Sequence, residues 1–326
     1  MTNINYVDVF YGTGLPSSST PSIGNIFPIA ARPFGLNHWT VATLDTSPWF
    51  YKRGGRVMAI RCTHQPSPWI GDYAFFDIKI KEGGKNSRGR ESVLNYHMTP
   101  SSITLKLLSG GVVTLIPTEA GALLYFPKKS STLVELPHLK IIESRTNLYG
   151  VASDTSVFKT PEHTKLHVVV KSSNDLNLSE KQFRVPAGTV WTIGTSFISR
   201  EKAVNNMGEE NDRSKGYKGS KDSKDSKDVN DAIWNELLGR IKLKGGNDKE
   251  LRKFYSILYR TLLFPRSLRE PGGLHYSPYN KHGGVYKGEL STDSGFWDAY
   301  RTVYPLLHLV YPDQATRILN GWVNAI

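Results

Sequence analysis

Ile103-Thr104-Leu105-Lys106-Leu107-Leu108-Ser109-Gly110-Gly111-Val112-Val113-Thr114-Leu115-Ile116 decides the fold class. Two runs alternate apolar and polar residues with period two, the pattern of half-buried strands. Ser109-Gly110-Gly111 between them predicts a hairpin, because glycine supplies the positive φ that tight hairpin turns need. Outward from this hairpin the same pattern returns at Phe75–Ile80, Leu166–Lys171 and Thr189–Gly194, with Gly, Pro, Ser and Asn between runs. Many short strands without intervening helical periodicity predict an antiparallel β-sandwich over residues 1–204.

Past that boundary the character changes. Residues 205–228 hold almost no apolar side chain and end in three Ser-Lys-Asp repeats, so a disordered surface insertion is expected there. Val229, Ile233, Leu237 and Ile241 then recur every fourth position, predicting a linker helix in 229–246. Asn247 with Glu250 three residues on is a helix N-cap signature. Leu251, Phe254, Tyr255, Leu258 and Leu262 form one apolar face as far as Pro265. Residues 266–290 lack a period and read as a long loop. Helical spacing resumes from Phe296 to Val310, with a kink expected at Pro305, and again over Ala315–Val323. The class is therefore multidomain, β then α.

Lysine and arginine number 41 against 29 acidic residues, a formal charge of +12. These cations are scattered and no helix with one basic face is expected, so a nucleic-acid partner is not predicted. The single cysteine, Cys62, excludes an intramolecular disulfide framework and multi-cysteine zinc sites. Met1–Asp8 shows no positive or apolar signal region, which makes the cytosol the default compartment. No stretch approaches a membrane span. Neither a histidine metal spacing, nor a phosphate-binding glycine loop, nor a Gly-x-Ser-x-Gly elbow is present.

Three loops are polar, aromatic and turn-rich together. Phe10-Tyr11-Gly12-Thr13-Gly14 opens the first; such a triplet is by itself mostly a turn. Cys62-Thr63-His64-Gln65-Pro66-Ser67-Pro68-Trp69-Ile70-Gly71-Asp72-Tyr73 stiffens its backbone with two prolines around His64, Trp69 and Asp72. A flat indole beside imidazole and carboxylate suits a sugar: the ring packs on C–H faces while polar groups bind hydroxyls. Packing of Trp69 into its own domain is the competing reading. In Phe296-Trp297-Asp298-Ala299-Tyr300-Arg301, the Asp-to-Arg spacing permits a same-face ion pair, and the alternative is a ligand-facing helix start.

Together these motifs resemble glycoside hydrolase family 92, the calcium-dependent α-mannosidases. The resemblance is carried by Tyr6–Gly14, Gly24–Pro28, Pro33-Phe34-Gly35, the 62–73 loop, Phe254–Pro265 and Phe296–Arg301. It implies an N-terminal β-sandwich packed on an (α/α)6 barrel whose first helices occupy 247–326. It also implies inverting, exo-acting hydrolysis of α-mannosides of N-glycans or mannans, with Ca²⁺ on the hydroxyls of the terminal mannose. Relatives of this kind are commonly exported. By position, Trp69 shapes the leaving-group side of the pocket, with His64 and Asp72 in support. Trp297, Asp298 and Arg301 line the terminal-mannose pocket, and Gly12 and Thr13 join the substrate-binding set. Inversion needs two carboxyls about 6.5–9.5 Å apart, and no carboxylate of the sequence matches either role by motif. The acid, the base and most calcium ligands are expected beyond Ile326, so the chain reads as the inactive front portion of a mannosidase, with uncovered apolar faces at Leu251–Leu262 and Ala315–Val323. The alternative is a non-catalytic carbohydrate-binding sandwich.

Overall fold

The computed structural model describes residues 3–14, 24–43, 49–82, 93–144, 147–152, 164–175, 177–179, 182–213, 223–279 and 282–326. The strands before the first α-helix are β1 (His38–Ala42), β2 (Ala59–Thr63), β3 (Phe76–Glu82), β4 (Val93–Thr99), β5 (Ser102–Leu107), β6 (Val112–Thr118) and β7 (Gly121–Tyr125). They continue as β8 (Thr132–Glu135), β9 (Lys140–Ser144), β10 (Asn147–Ala152), β11 (Leu166–Ser172), β12 (Asn177–Ser179), β13 (Gln182–Val185) and β14 (Val190–Ser196). They form two antiparallel sheets, ordered β1-β2-β3-β8-β13-β12 and β4-β5-β6-β7-β14-β11-β10-β9. The Ser-Gly-Gly turn joins β5 to β6 as expected, with Gly110 at φ 82°.

Between the sheets lies the core. Trp39, Ile60, Ile78 and Phe183 on one face meet Leu105, Leu115, Leu124 and Trp191 on the other, all buried. Phe183 and Trp191 meet edge to face across the gap, and the Trp39 indole N–H donates to the Gly121 carbonyl at 3.1 Å. Fully burying aromatics of this size contributes about 1.5–3 kcal/mol each, so sheet pairing is fixed by them.

Some strands are buried on both faces, which the period-two reading did not anticipate. Every residue of β1 and β2 is buried, and the 264–266 segment packs on them: Phe264 meets the His38 ring edge to face and Arg266 Nη1 donates to Thr63 O at 3.5 Å. The other sheet is covered by α1 (Arg200–Arg213). Ala203 lies so close to Gly194 that a Cβ there would sit 2.1 Å from its carbonyl oxygen.

The expected disorder of 205–228 is corrected in part. Residues 205–213 belong to α1 and 223–228 open α2 (Ser223–Leu238), while 214–222 fall outside the described residues. Asn206 is the reason at one end: its side-chain amide donates to Thr195 O and to Glu270 Oε2. At the other end Trp234, Leu237 and Leu238 are buried, and the Trp234 indole donates to Ala31 O. A few buried anchors suffice where composition alone suggests none. The linker helix thus starts before residue 229 and ends at Leu238.

α3 (Asp248–Thr261) carries the predicted capping box, Glu250 N–H to Asn247 Oδ1 at 3.1 Å and Asn247 N–H to Glu250 Oε2 at 2.9 Å. Its apolar face is largely covered, with Tyr255, Leu258 and Tyr259 buried, and Arg260 sews it to the carbonyls of Val9 and Phe27. The long loop expected at 266–290 contains β15 (Arg266–Ser267), β16 (Leu274–Ser277) and β17 (Gly284–Lys287), with β18 (Ser291–Thr292) just after it; β15 pairs β18 and β16 pairs β17. Strands this short carry no readable period.

The helix expected across 296–310 is two: α4 (Phe296–Ala299) and α5 (Val303–Val310), broken at Thr302, whose φ is −127°. Pro305 lies in the first turn of α5, where a missing N–H costs nothing, so the break precedes it. α6 (Pro312–Val323) follows, with Leu319 and Val323 exposed on its face. Among the described residues no helix is long and apolar enough to cross a membrane.

Candidate functional site

The 62–73 loop leaves β2 and is closed at its neck by Asp72. Its carboxylate accepts from the Thr63 hydroxyl (2.5 Å), His64 N–H (3.0 Å) and Ala74 N–H (3.0 Å), so one side chain ties both ends together. Inside the neck, the His64 ring faces the Ala74 carbonyl through Nδ1 and Asn37 Oδ1 through Nε2. At the tip, Ile70 N–H and Gly71 N–H both donate to Ser67 O, and this tight turn holds Trp69 outward, 59% exposed. Packing of Trp69 into its own domain is therefore not what occurs.

His64 and Asp72 are buried, which makes them the footing of the loop; they touch no open surface. Burial, then the Arg266 charge, lowers the His64 pKa to about 3, so the ring is neutral. Burial raises the Asp72 carboxyl to about 6 against its three hydrogen bonds.

Arg266 joins this loop to the helical lobe. Its side chain is wholly buried, with Nε on Asp293 Oδ2 at 2.7 Å, Nη1 on Leu36 O at 3.1 Å and Nη2 3.3 Å from His38 Nδ1. Burial opposes its charge, but Tyr73 and Asp293 outweigh that and hold its pKa up. Asp293 sits at φ +61°, a left-handed backbone that non-glycine residues adopt at a cost. The Tyr73 hydroxyl donates to the same Asp293 Oδ2 at 3.3 Å. Asp293 Oδ1 accepts, among the described residues, only a long contact from the Thr292 hydroxyl at 3.5 Å. Burial raises the Asp293 carboxyl even with the guanidinium beside it.

Beside this clamp lies a cavity of about 180 Å³ whose walls include Ile70, Tyr73, Phe197, Tyr276, Tyr279 and Asp293. Tyr279 and Thr292 hydroxyls face each other at 2.9 Å. Aromatic walls, hydroxyls and a carboxylate oxygen with spare acceptor capacity form a chemistry that binds neutral polyols.

The third loop is built differently. Ser294 accepts from the Trp322 indole at 3.0 Å, and Phe296 packs at a tilt against Tyr304 and Trp322. This anchors α4 on α5 and α6 while leaving Trp297 89% exposed. Asp298 and Arg301 are exposed as well. No Asp298–Arg301 ion pair forms: α4 ends at Ala299, and the Arg301 guanidinium lies over the Tyr300 ring at 5.1 Å.

The structure thus brings together the segments bearing Trp69 and Trp297, which meet at Tyr73 and Asp293, although neither indole lines the cavity. Gly12 and Thr13 stand apart from that cavity. Gly12 adopts φ 79° and the Thr13 hydroxyl donates to Phe10 O, the geometry of a turn. Sequence reasoning missed Arg266, Tyr279, Phe197 and Asp293, the last in the loop between β18 and α4. The signal available was Thr292-Asp293 immediately ahead of the Phe-Trp-Asp motif.

Residues 6–99 match the glycosyl hydrolase family 92 N-terminal domain and residues 202–326 the glycosyl hydrolase family 92 catalytic domain. A family GH92 inverting mannosidase of Bacteroides thetaiotaomicron superposes with a TM-score of 0.81 at 29% identity, over 99% of this chain and 48% of that one. A family GH92 α-mannosidase of the same species gives 0.71 at 18% identity, over 94% and 47%. A further GH92 family glycosyl hydrolase gives 0.75 at 14%, over 99% and 49%. The chain spans about half the length of these structures. Among curated proteins none matches it significantly.

Proposed function

This chain belongs to glycoside hydrolase family 92, and we propose that it works as an inverting exo-α-mannosidase on the α-mannosides of N-glycans or mannans. The observation that carries the reading is the junction of the Trp69 loop with the Trp-Asp helix segment through Tyr73, Asp293 and Arg266. In this reading Trp69 stacks on the leaving-group sugar, and Trp297, Asp298 and Arg301 receive the terminal mannose. His64 and Asp72 act as positioning residues, holding the loop neck.

The acid and base are assigned outside the described residues. Asp72, Asp77, Glu270 and Asp293 are buried carboxylates among the described residues. Asp72 accepts three donors at the loop neck, Asp77 pairs with Arg61, Glu270 accepts from Ser196, Phe197 N–H and Asn206, and Asp293 pairs with Arg266. Protonating a leaving oxygen requires a carboxyl that faces substrate; Asp72, Asp77 and Glu270 face the protein, and Asp293, which lines the cavity, is tied to the Arg266 guanidinium. The calcium ion that the resemblance implies has no fit here: among the described residues no three His, Cys, Asp or Glu side chains converge to hold a metal. No step is therefore drawn through it.

Titration calorimetry with α1,2-mannobiose tests the reading. Binding weakened about tenfold or more by Trp69→Ala supports it, since an aromatic contact contributes about 0.5–1.5 kcal/mol beyond the apolar area it buries. Absence of binding to any mannoside, with and without Ca²⁺, overturns it. Binding without hydrolysis by a protein extended to the full length of the relatives would favour the non-catalytic sandwich.

A further inference from the structure

A groove of about 870 Å³ runs between the Ile4–Tyr11 segment, the end of β4 and the α2–α3 pair. It is unrelated to the Trp69 loop, and its charges are unbalanced. Asp231 is held by Lys227 in an ion pair. Asp8 accepts from Phe10 N–H at 2.9 Å and lies in the field of buried Arg260. That leaves Lys249, Arg252 and Lys253, all exposed and without an ion pair among the described residues. The helix start at Asp248 sets them at i, i+3 and i+4, one face of α3 with Cβ atoms roughly 5–6 Å apart. This corrects the expectation that no helix carries a basic face.

A second groove, of about 540 Å³, shows what balance looks like. Arg240 there is bound by Glu236 and Asp313, and Glu289 is shared by Arg269 and Arg317. Cations paired in this way have little left to offer a ligand. In the first groove the three cations keep their donors, and two aromatic rings, Phe10 and the 40%-exposed Tyr11, stand beside them.

We propose that this groove binds a phosphate-bearing sugar, with the phosphate on Lys249, Arg252 and Lys253 and the sugar ring against Tyr11. Guanidinium and ammonium donors converging on one anion make charge-assisted hydrogen bonds roughly twice as strong as neutral ones. The site is independent of the α-mannoside reading, which uses the opposite chemistry: neutral hydroxyls, aromatic walls and a carboxylate.

The experiment is a calorimetric titration of the 326-residue chain with mannose 6-phosphate, inorganic phosphate and mannose. Both phosphate probes are expected to saturate and mannose to show no competition with them. The Arg252→Gln/Lys253→Gln double variant, folded by circular dichroism, should weaken phosphate binding about tenfold or more, while Trp69→Ala leaves it unchanged. Raising salt from about 0.05 to 0.3 M should weaken it several-fold, as exposed charges are screened. A loss in Tyr11→Ala confined to mannose 6-phosphate assigns the groove to the ester; equal affinities for both probes and no effect of Tyr11 assign it to the phosphate group alone. Failure of both probes to bind overturns the proposal. So does undiminished binding by the double variant, or a DNA duplex that binds more tightly than the sugar phosphate and is lost in that variant.

Discussion

The two aromatic loops, linked through the hydrogen bond from Tyr73 to Asp293, are held by opposite means. The 62–73 loop stands on a buried polar footing, in which Asp72, His64, Asn37 and Arg266 are joined by hydrogen bonds at 2.5–3.5 Å. The 294–301 segment rests on an aromatic cluster of Phe296, Tyr304 and Trp322 and one indole-to-serine bond. Its helix has four residues, with no side-chain cap. One loop is fixed by groups that cannot be left unpaired; the other by surface contacts with room to shift. Exposed indoles at both tips show that position at a tip, and not residue type, decides whether a tryptophan is buried: Trp39, Trp191 and Trp234 are wholly inside.

The sharpest way to break this contrast is Arg266→Met. It leaves Asp293 buried without its partner and should cost about 3–5 kcal/mol in urea unfolding, whereas Arg301→Met should change stability by less than about 0.5 kcal/mol. Equal small effects would remove the distinction between the loops. Asp72→Ala comes next, at about 2–4 kcal/mol, because two backbone N–H groups and the Thr63 hydroxyl lose their acceptor.

Acid sensitivity separates the loops further. His64 is neutral in the folded chain down to about pH 3, while its unfolded counterpart takes up a proton near pH 6.5. Its contribution is therefore present above pH 6.5 and is lost as pH falls towards 3, about 3 kcal/mol of it by pH 4. Asp72 has the opposite sign: raised to about 6, it holds a proton that the unfolded chain releases, so its contribution declines as pH rises from about 4 to 6. In stability measured against pH, His64→Gln should flatten the acid limb between pH 6.5 and 4, and Asp72→Asn should steepen it. An unchanged profile in both would contradict the buried footing. Tyr73→Phe, which removes one hydrogen bond to Asp293, is expected to cost about 1 kcal/mol in thermal unfolding. The smallest effect is that of Trp297→Ala, under about 0.5 kcal/mol in the same measurement; a larger loss would mean that the third loop is braced in the way the second is.

Part of this architecture is legible from neighbours in the chain. The period-two runs around Ser109-Gly110-Gly111, the Asn247–Glu250 box and the proline-stiffened turn bearing Trp69 are local signals, and each appears as read. Gly12 and Thr13 carry a turn signal too, and the structure uses them as a turn. By contrast, the ion pair between Arg266 and Asp293 spans 27 residues and the Arg266 bond to Leu36 spans 230, so no periodicity announces them. Helix α1 was illegible for the same reason, since Asn206 gains its partners only when Thr195 and Glu270 are nearby.

What the sequence determined by itself was the order of elements, β-sheets and then helices, and the caps and turns that bound them, because hydrophobic period and backbone preference act over a few residues. Only the tertiary structure decided which polar side chains serve as footing and which stay available. It also decided where the helix after Trp297 breaks, and that three exposed cations of α3 form no ion pair among the described residues. Desolvation is the reason: a group becomes neutral, paired or reactive according to what distant segments bring beside it, and no short stretch of chain encodes that environment.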